Sequence, residues 1–185
     1  MESKVTKNLI QAKEKWKDEV LAELPQKDPR PFLIGDPNYS YTQIPARDGI
    51  AHGNIKRSNQ WPNCSFFTNW NNLQDSITWE SEVMADGDFE IEIYYTCPTG
   101  DVGSTVELSF NNSRLITKIT KANDSKIKGM EYDRVPRIES YVKDFKPMTM
   151  GTIHLKKGKG LLTLKALDIP GSQVMDFRLL MLNRK

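Results

Sequence analysis

Between residues 45 and 72 the chain reads PARDGIAHGNIKRSNQWPNCSFFTNWNN, gathering the side chains best suited to hold a ligand. Trp61 and Trp70 offer flat apolar faces, Asn69 an amide, and Arg47 and Arg57 rigid guanidinium forks. Aromatic rings stack on the C–H faces of a sugar while amides and charges bond its hydroxyls. Arginine and lysine suit a sulfated or acidic glycan, because the guanidinium fork matches such oxygens. Arg47, Arg57, Trp61, Asn69 and Trp70 are therefore the candidate ligand-binding residues. A structural reading competes: Trp, Phe and Asn in a long loop also plug the end of a sandwich and satisfy its backbone, or dock it on a neighbouring domain.

Other reactive groups are sparse. Cys64 and Cys97 are the two cysteines and lack the CxxC spacing of a zinc or redox site. They are either two buried thiols or one Cys64–Cys97 bridge, which requires an oxidising compartment. Two histidines, His52 and His154, are too few for a metal cluster, and no metal site is expected. The run EYDRVPRIESYVKDF alternates charge sign, which suits ion pairs that fix a loop. A carboxylate pair, Asp133 and Glu139, could face a cleft, but no nucleophile, metal or oxyanion donor accompanies it. Sequons occur at Asn63, Asn111 and Asn123, as chance often produces.

The elements that must position these residues are mostly strands. In Asp88–Phe110, Phe89, Ile91, Ile93, Tyr95 and Cys97 fall on one face, and Glu90, Glu92, Tyr94 and Thr96 on the other. That period of two marks a strand with one buried face. Pro98, Gly100, Asp101 and Gly103 form a loop, and Val106, Leu108 and Phe110 begin a second alternating run. Two such strands in succession point to an antiparallel sheet. Further strands are predicted over 76–83, 115–121, 151–156, 161–167 and 174–182. The sequence KKGKG at 156–160 reads as the turn between two of them. In the last strand Met175, Phe177, Leu179 and Met181 share one face. The fold class is mainly β: an antiparallel β-sandwich or jelly-roll.

One helix precedes it. Val5, Leu9, Ala12, Trp16, Val20 and Leu24 recur at steps of three and four, predicting an amphipathic helix over 4–24 that Pro25 stops. The Pro-rich stretch after it reads as a linker or extended wrap. The domains are thus residues 1–30, helix and linker, and 31–185, the sandwich.

Composition excludes several classes. With 26 basic and 24 acidic residues, net charge +2, the chain lacks the basic excess of a nucleic-acid binder. No apolar run approaches the roughly 20 residues that cross a bilayer, so no membrane partner is expected. The charged N-terminus lacks the apolar core of a signal peptide.

The phrases DPRPFLIG, TQIPARDGIAHG, KRSNQWPNCSFFTNW, DGDFEIEIYYTCPTGDVGSTVELSF, YDRVPRIESYVKDF, MGTIHLKKGKG and IPGSQVMDFRLLML resemble the C-terminal region of bacterial arylsulfatases. That resemblance implies a sandwich similar to galactose-binding-like, carbohydrate-binding-module sandwiches, joined by its opening helix to an upstream catalytic domain. The implied parent is a periplasmic or secreted sulfuric ester hydrolase, its signal lying upstream. Calcium and the formylglycine nucleophile would belong to that catalytic domain, leaving this chain without a cofactor. Cys64 in CSFFT and Cys97 in CPTGD both depart from the Cys/Ser-x-Pro-x-Arg motif. The expectation is a non-catalytic accessory domain that packs on the sulfatase catalytic domain and helps bind sulfated or neutral glycan. The alternative is a stand-alone carbohydrate-binding module.

Overall fold

The computed structural model describes residues 3–24, 28, 30–61, 63–139 and 141–185. The chain divides into two compact units, Met1–Arg30 and Pro31–Lys185. In the first, helix α1 spans Lys4–Leu21 and is capped by Ser3, whose Oγ accepts the Thr6 N–H at 3.1 Å. It ends before the expected residue 24, and Pro25 lies outside the described residues. No residue of α1 is buried.

The second unit is a sandwich of two six-stranded sheets. The first sheet has β1 (Phe32–Ile34), β6 (Ser76–Val83), β11 (Gly158–Asp168), β8 (Thr105–Phe110) and β9 (Ser113–Lys118) in that spatial order. Strand β3 (Ile50–His52) shares the outer edge of β6 with β1. The second sheet runs β10 (Lys146–Leu155), β7 (Gly87–Thr96), β12 (Asp176–Arg184), β5 (Phe67–Thr68) and β4 (Lys56–Arg57), with β2 (Tyr41–Pro45) also paired to β12. The supposed linker after the helix thus supplies β1 and β2 as edge strands of the sandwich.

Alternation fixes the core. Phe89, Ile91, Ile93 and Tyr95 of β7 are buried together with Ile77 and Trp79 of β6 and Leu162 and Leu164 of β11. Trp79 meets Phe177 edge-on at 6.0 Å and donates its indole N–H to the Pro45 carbonyl at 3.1 Å. Gly49 lies against that indole so closely that a Cβ would sit 2.8 Å from two of its atoms.

Two expected pairings fail. Strands β7 and β8 follow one another but belong to opposite sheets, and so do β10 and β11 on either side of the lysine turn. Both connections are corners of the sandwich; Lys157 N–H is pinned there by Asp86 at 2.7 Å. An alternating pattern states which face is buried and is silent about which neighbour is paired. The hairpin between β8 and β9 is formed, turning through Asn111 at φ 50°.

A third correction concerns β12. Phe177 pairs with Tyr95, but Leu179 pairs with Tyr94, so Arg178 is an extra residue in the ladder. This β-bulge reverses the alternation. Phe177, Leu180 and Leu182 are buried, while Leu179 and Met181, expected on the core face, turn outward.

Candidate functional site

The five candidate residues take different environments; Arg57 reaches the Gly49 carbonyl at 3.4 Å, two residues from Arg47. Trp70 is wholly buried, so no sugar can stack on it; its carbonyl accepts the Val174 N–H at 2.8 Å. Its indole N–H meets no acceptor among the described residues. Asn69 is held in the left-handed region at φ 60°, and its amide donates to the Asn54 carbonyl at 2.7 Å. Trp61 is 43% exposed, in a loop whose Asn59 amide reaches the Ile138 carbonyl at 2.9 Å. Arg57 lies 5.9 Å above the Phe67 ring. Arg47 extends from the turn after β2, 3.6 Å from the neighbouring Asp48 carboxylate.

The loop is held from within, as the structural reading has it. The buried Asp75 carboxylate accepts N–H groups from Asn54 at 2.7 Å, Asn71 at 3.2 Å and Asn72 at 3.0 Å. Gly53, at φ +76°, passes so near that a Cβ would lie 2.1 Å from Asp75 Oδ1. Other buried carboxylates are likewise paired: Asp176 with Lys143 at 2.5 Å and Glu107 with Lys165 at 3.2 Å. Asp101 accepts the Ser172 N–H and hydroxyl at 2.7 and 2.8 Å. Burial pushes the Asp101 carboxyl up, but hydrogen bonds from Ser172 and Gln173 outweigh it and hold the group below the usual carboxylate range.

The second and third chemistries of the sequence also take definite places. Asp133 accepts the Tyr141 hydroxyl at 2.8 Å and pairs with Arg137 at 3.2 Å, an ion-pair arrangement that fixes its loop. Glu139 is exposed. Both cysteines are free: Cys64 is exposed in its loop and Cys97 is buried at the end of β7, so the bridge is not formed. Among the described residues no group of three or more His, Cys, Asp or Glu side chains is arranged to hold a metal ion. No helix among them is long and apolar enough to cross a membrane.

The two sheets present different outer faces. On the first, the cross-strand rows read Ile50–Thr78–Thr163–Ser109–Arg114 and His52–Ser76–Lys165–Glu107–Ile116. Their apolar members are isolated and none is aromatic. The second sheet carries a continuous row, Pro45–Leu179–Tyr94–Pro147, across β2, β12, β7 and β10. Three inter-strand spacings make that row about 14 Å long. Beside it runs Gln43–Met181–Glu92–Thr149, then Tyr41–Asn183–Glu90–Thr152. The Asn183 amide lies 3.5 Å from Glu92, and Lys185 pairs with Glu90 at 3.0 Å. An apolar strip bordered by amides and carboxylates can stack against one face of a ligand while bonding its edge. Sequence reasoning missed this surface because Leu179 and Met181 face outward only through the bulge. Tyr94, already assigned to the wet face, was the available clue.

Fold and surface together define a two-sheet sandwich with one decorated outer face. No family model matches the chain, and no curated protein matches it. Solved structures show the fold. A family 35 carbohydrate-binding module from Clostridium thermocellum is similar at a TM-score of 0.52 and 13% identity, over 78% of this chain and 98% of that one. The C-terminal CBM6 of the laminarinase LamC from Zobellia galactanivorans gives 0.54 and 9%, over 77% and 98%. The Podospora anserina GH26-CBM35 mannanase gives 0.51 and 12%; the match covers 79% of this chain and only 28% of that chain. These three are not sulfatases, and what they have in common with this chain is the sandwich.

Proposed function

We propose that this chain is a non-catalytic carbohydrate-binding module that holds its glycan on the outer face of the second sheet. The observation that carries the reading is the Pro45–Leu179–Tyr94–Pro147 row, flanked by Gln43, Glu92 and Asn183. Tyr94 supplies a ring, the aliphatic neighbours exclude water beside it, and the polar rows offer donors and acceptors for hydroxyls. Support also comes from the fold, shared with modules described as carbohydrate-binding, one of them, from Cellvibrio mixtus lichenase 5A, in complex with cellotriose.

Titration calorimetry of the full chain against a panel of neutral and acidic oligosaccharides tests this. Tyr94→Ala is expected to weaken the best ligand about tenfold, about 1.4 kcal/mol. Thr163→Ala, on the opposite sheet, is expected to change affinity by less than about twofold, being a surface substitution away from the row. Unchanged affinity in Tyr94→Ala would remove the second sheet as the site.

A second reading places the ligand at the loop end, favoured by the 43% exposure of Trp61. It predicts the loss in Trp61→Ala instead. The narrower reading, in which the module serves a sulfatase catalytic domain, rests on the sequence phrases. It predicts an upstream open frame containing Cys/Ser-x-Pro-x-Arg, which DNA sequencing decides.

A further inference from the structure

Arg178, the extra residue of the bulge that turns Leu179 outward, is the chain neighbour of Leu179 in the apolar row. Arg178 is partly buried, and Nη1 donates to the carbonyl oxygen of the buried Ser65. Among the described residues no carboxylate lies within ion-pairing distance of it. Burying a charge is costly unless it is paired, and a single carbonyl leaves most of the five guanidinium donors to solvent or a ligand. Arg47 reaches the same place: it stands two residues beyond Pro45, which pairs with Leu179, the neighbour of Arg178. Its side chain is 44% exposed, and its ion pair with the neighbouring, exposed Asp48 at 3.6 Å is of the weak surface kind that leaves the guanidinium available. Burial lowers the pKa of Arg178, and the like charge of Arg47 lowers it further against the opposing effect of Cys64. A guanidinium nonetheless stays charged, so two cations share a partly dry corner in which the Asp48 carboxylate stands beside Arg47.

We propose that Arg178 and Arg47 together bind an anionic substituent, carboxylate or sulfate, on a glycan whose rings lie along the Tyr94 row. This rests on the glycan-binding reading and narrows it to acidic sugars. A planar carboxylate or a sulfate fits one guanidinium through two parallel hydrogen bonds and is drawn to the second by charge. Anion binding relieves the repulsion between the two arginines. The sugar rings then extend from the charged corner across Leu179 and Tyr94.

The test uses the full chain, a neutral galactan oligomer, its sulfated counterpart and an oligogalacturonate, with inorganic sulfate as a small probe. The anionic oligomers are expected to bind at least tenfold more tightly than the neutral one. Arg178→Gln should bring the ratio of anionic to neutral affinity close to one. Arg178→Lys should keep part of it, since charge survives without the fork. Arg47→Gln, at an exposed position, should reduce the ratio several-fold and provides the test if Arg178→Gln fails to fold. The relative preference of the sulfated and uronate oligomers assigns the anion. Separately, arginine side-chain NMR should show Arg178 and Arg47 shifting on addition of sulfate.

An unchanged ratio in folded Arg178→Gln and Arg47→Gln would overturn the inference. So would equal affinity of the native chain for neutral and anionic oligomers, which leaves glycan binding itself intact. If no oligomer binds while sulfate shifts both arginines, the glycan reading fails and an anion site remains. The proposal of an acidic sugar then falls with it.

Discussion

Each cysteine takes its chemistry from its surroundings. Cys97 ends the inward series of β7 and is fully buried. Burial, reinforced by Asp101, Asp176 and Asp124, pushes its thiol up to about 11. The nucleophilic thiolate is therefore scarce at neutral pH, and the sulfur is sheltered as well. Cys64 sits at φ 57° in the exposed loop. An aromatic disulfide reagent at pH 8 should therefore react quickly with one thiol per native chain and with two in guanidinium chloride. Cys64→Ser should abolish the fast phase. Two fast thiols would contradict the burial of Cys97, and none in unreduced protein would point to a bridge. The neighbouring Trp70 and Asn69 teach a related point. Their residue types suit a sugar site, yet the fold uses one as core and the other as a loop tie.

Strand β12 shows how one inserted residue redirects an element. With unbroken alternation Leu179 would be core and Leu180 surface; the bulge at Arg178 makes Leu180 fully buried and leaves Leu179 partly exposed. Leu180→Ala should then cost about 2–5 kcal/mol of stability in urea unfolding. Leu179→Ala should cost about 1 kcal/mol or less, and the reverse order would refute the bulge. Strand β6 was legible to its ends, because Ile77, Trp79 and Val83 keep one phase, with the small Ser81 buried between the last two. The buried face of β7 was equally clear. What escaped was non-local: the partner of each strand, the short strands β1 to β5 of two to five residues, and the phase of β12. Short strands carry too few residues for a period, and a bulge has no fixed sequence mark. The proposed ligand face depended on that phase, so the candidate site was less legible than the fold that bears it.

At the scale of the whole chain, the question is what the sandwich needs in order to stand. Every buried hydrophobic member of its core lies between Ile34 and Leu182, and the second unit runs from Pro31 to Lys185. A chain of that size can bury a full core, and among the described residues none of the first 30 belongs to that core. The 31–185 fragment is expected to melt within about 2 °C of the full chain and to keep the proposed glycan binding. In a protein this long, a fall of more than about 4 °C corresponds to roughly 1 kcal/mol or more. Such a fall would assign the N-terminal unit a stabilising role. The outcome also bears on the helix stripe of Val5, Leu9, Trp16 and Val20, all at least half exposed. If the sandwich is indifferent to their removal, intramolecular stability does not account for that stripe. Comparing the two chains by sedimentation would then assign it: self-association of the full chain alone would make the stripe an assembly surface.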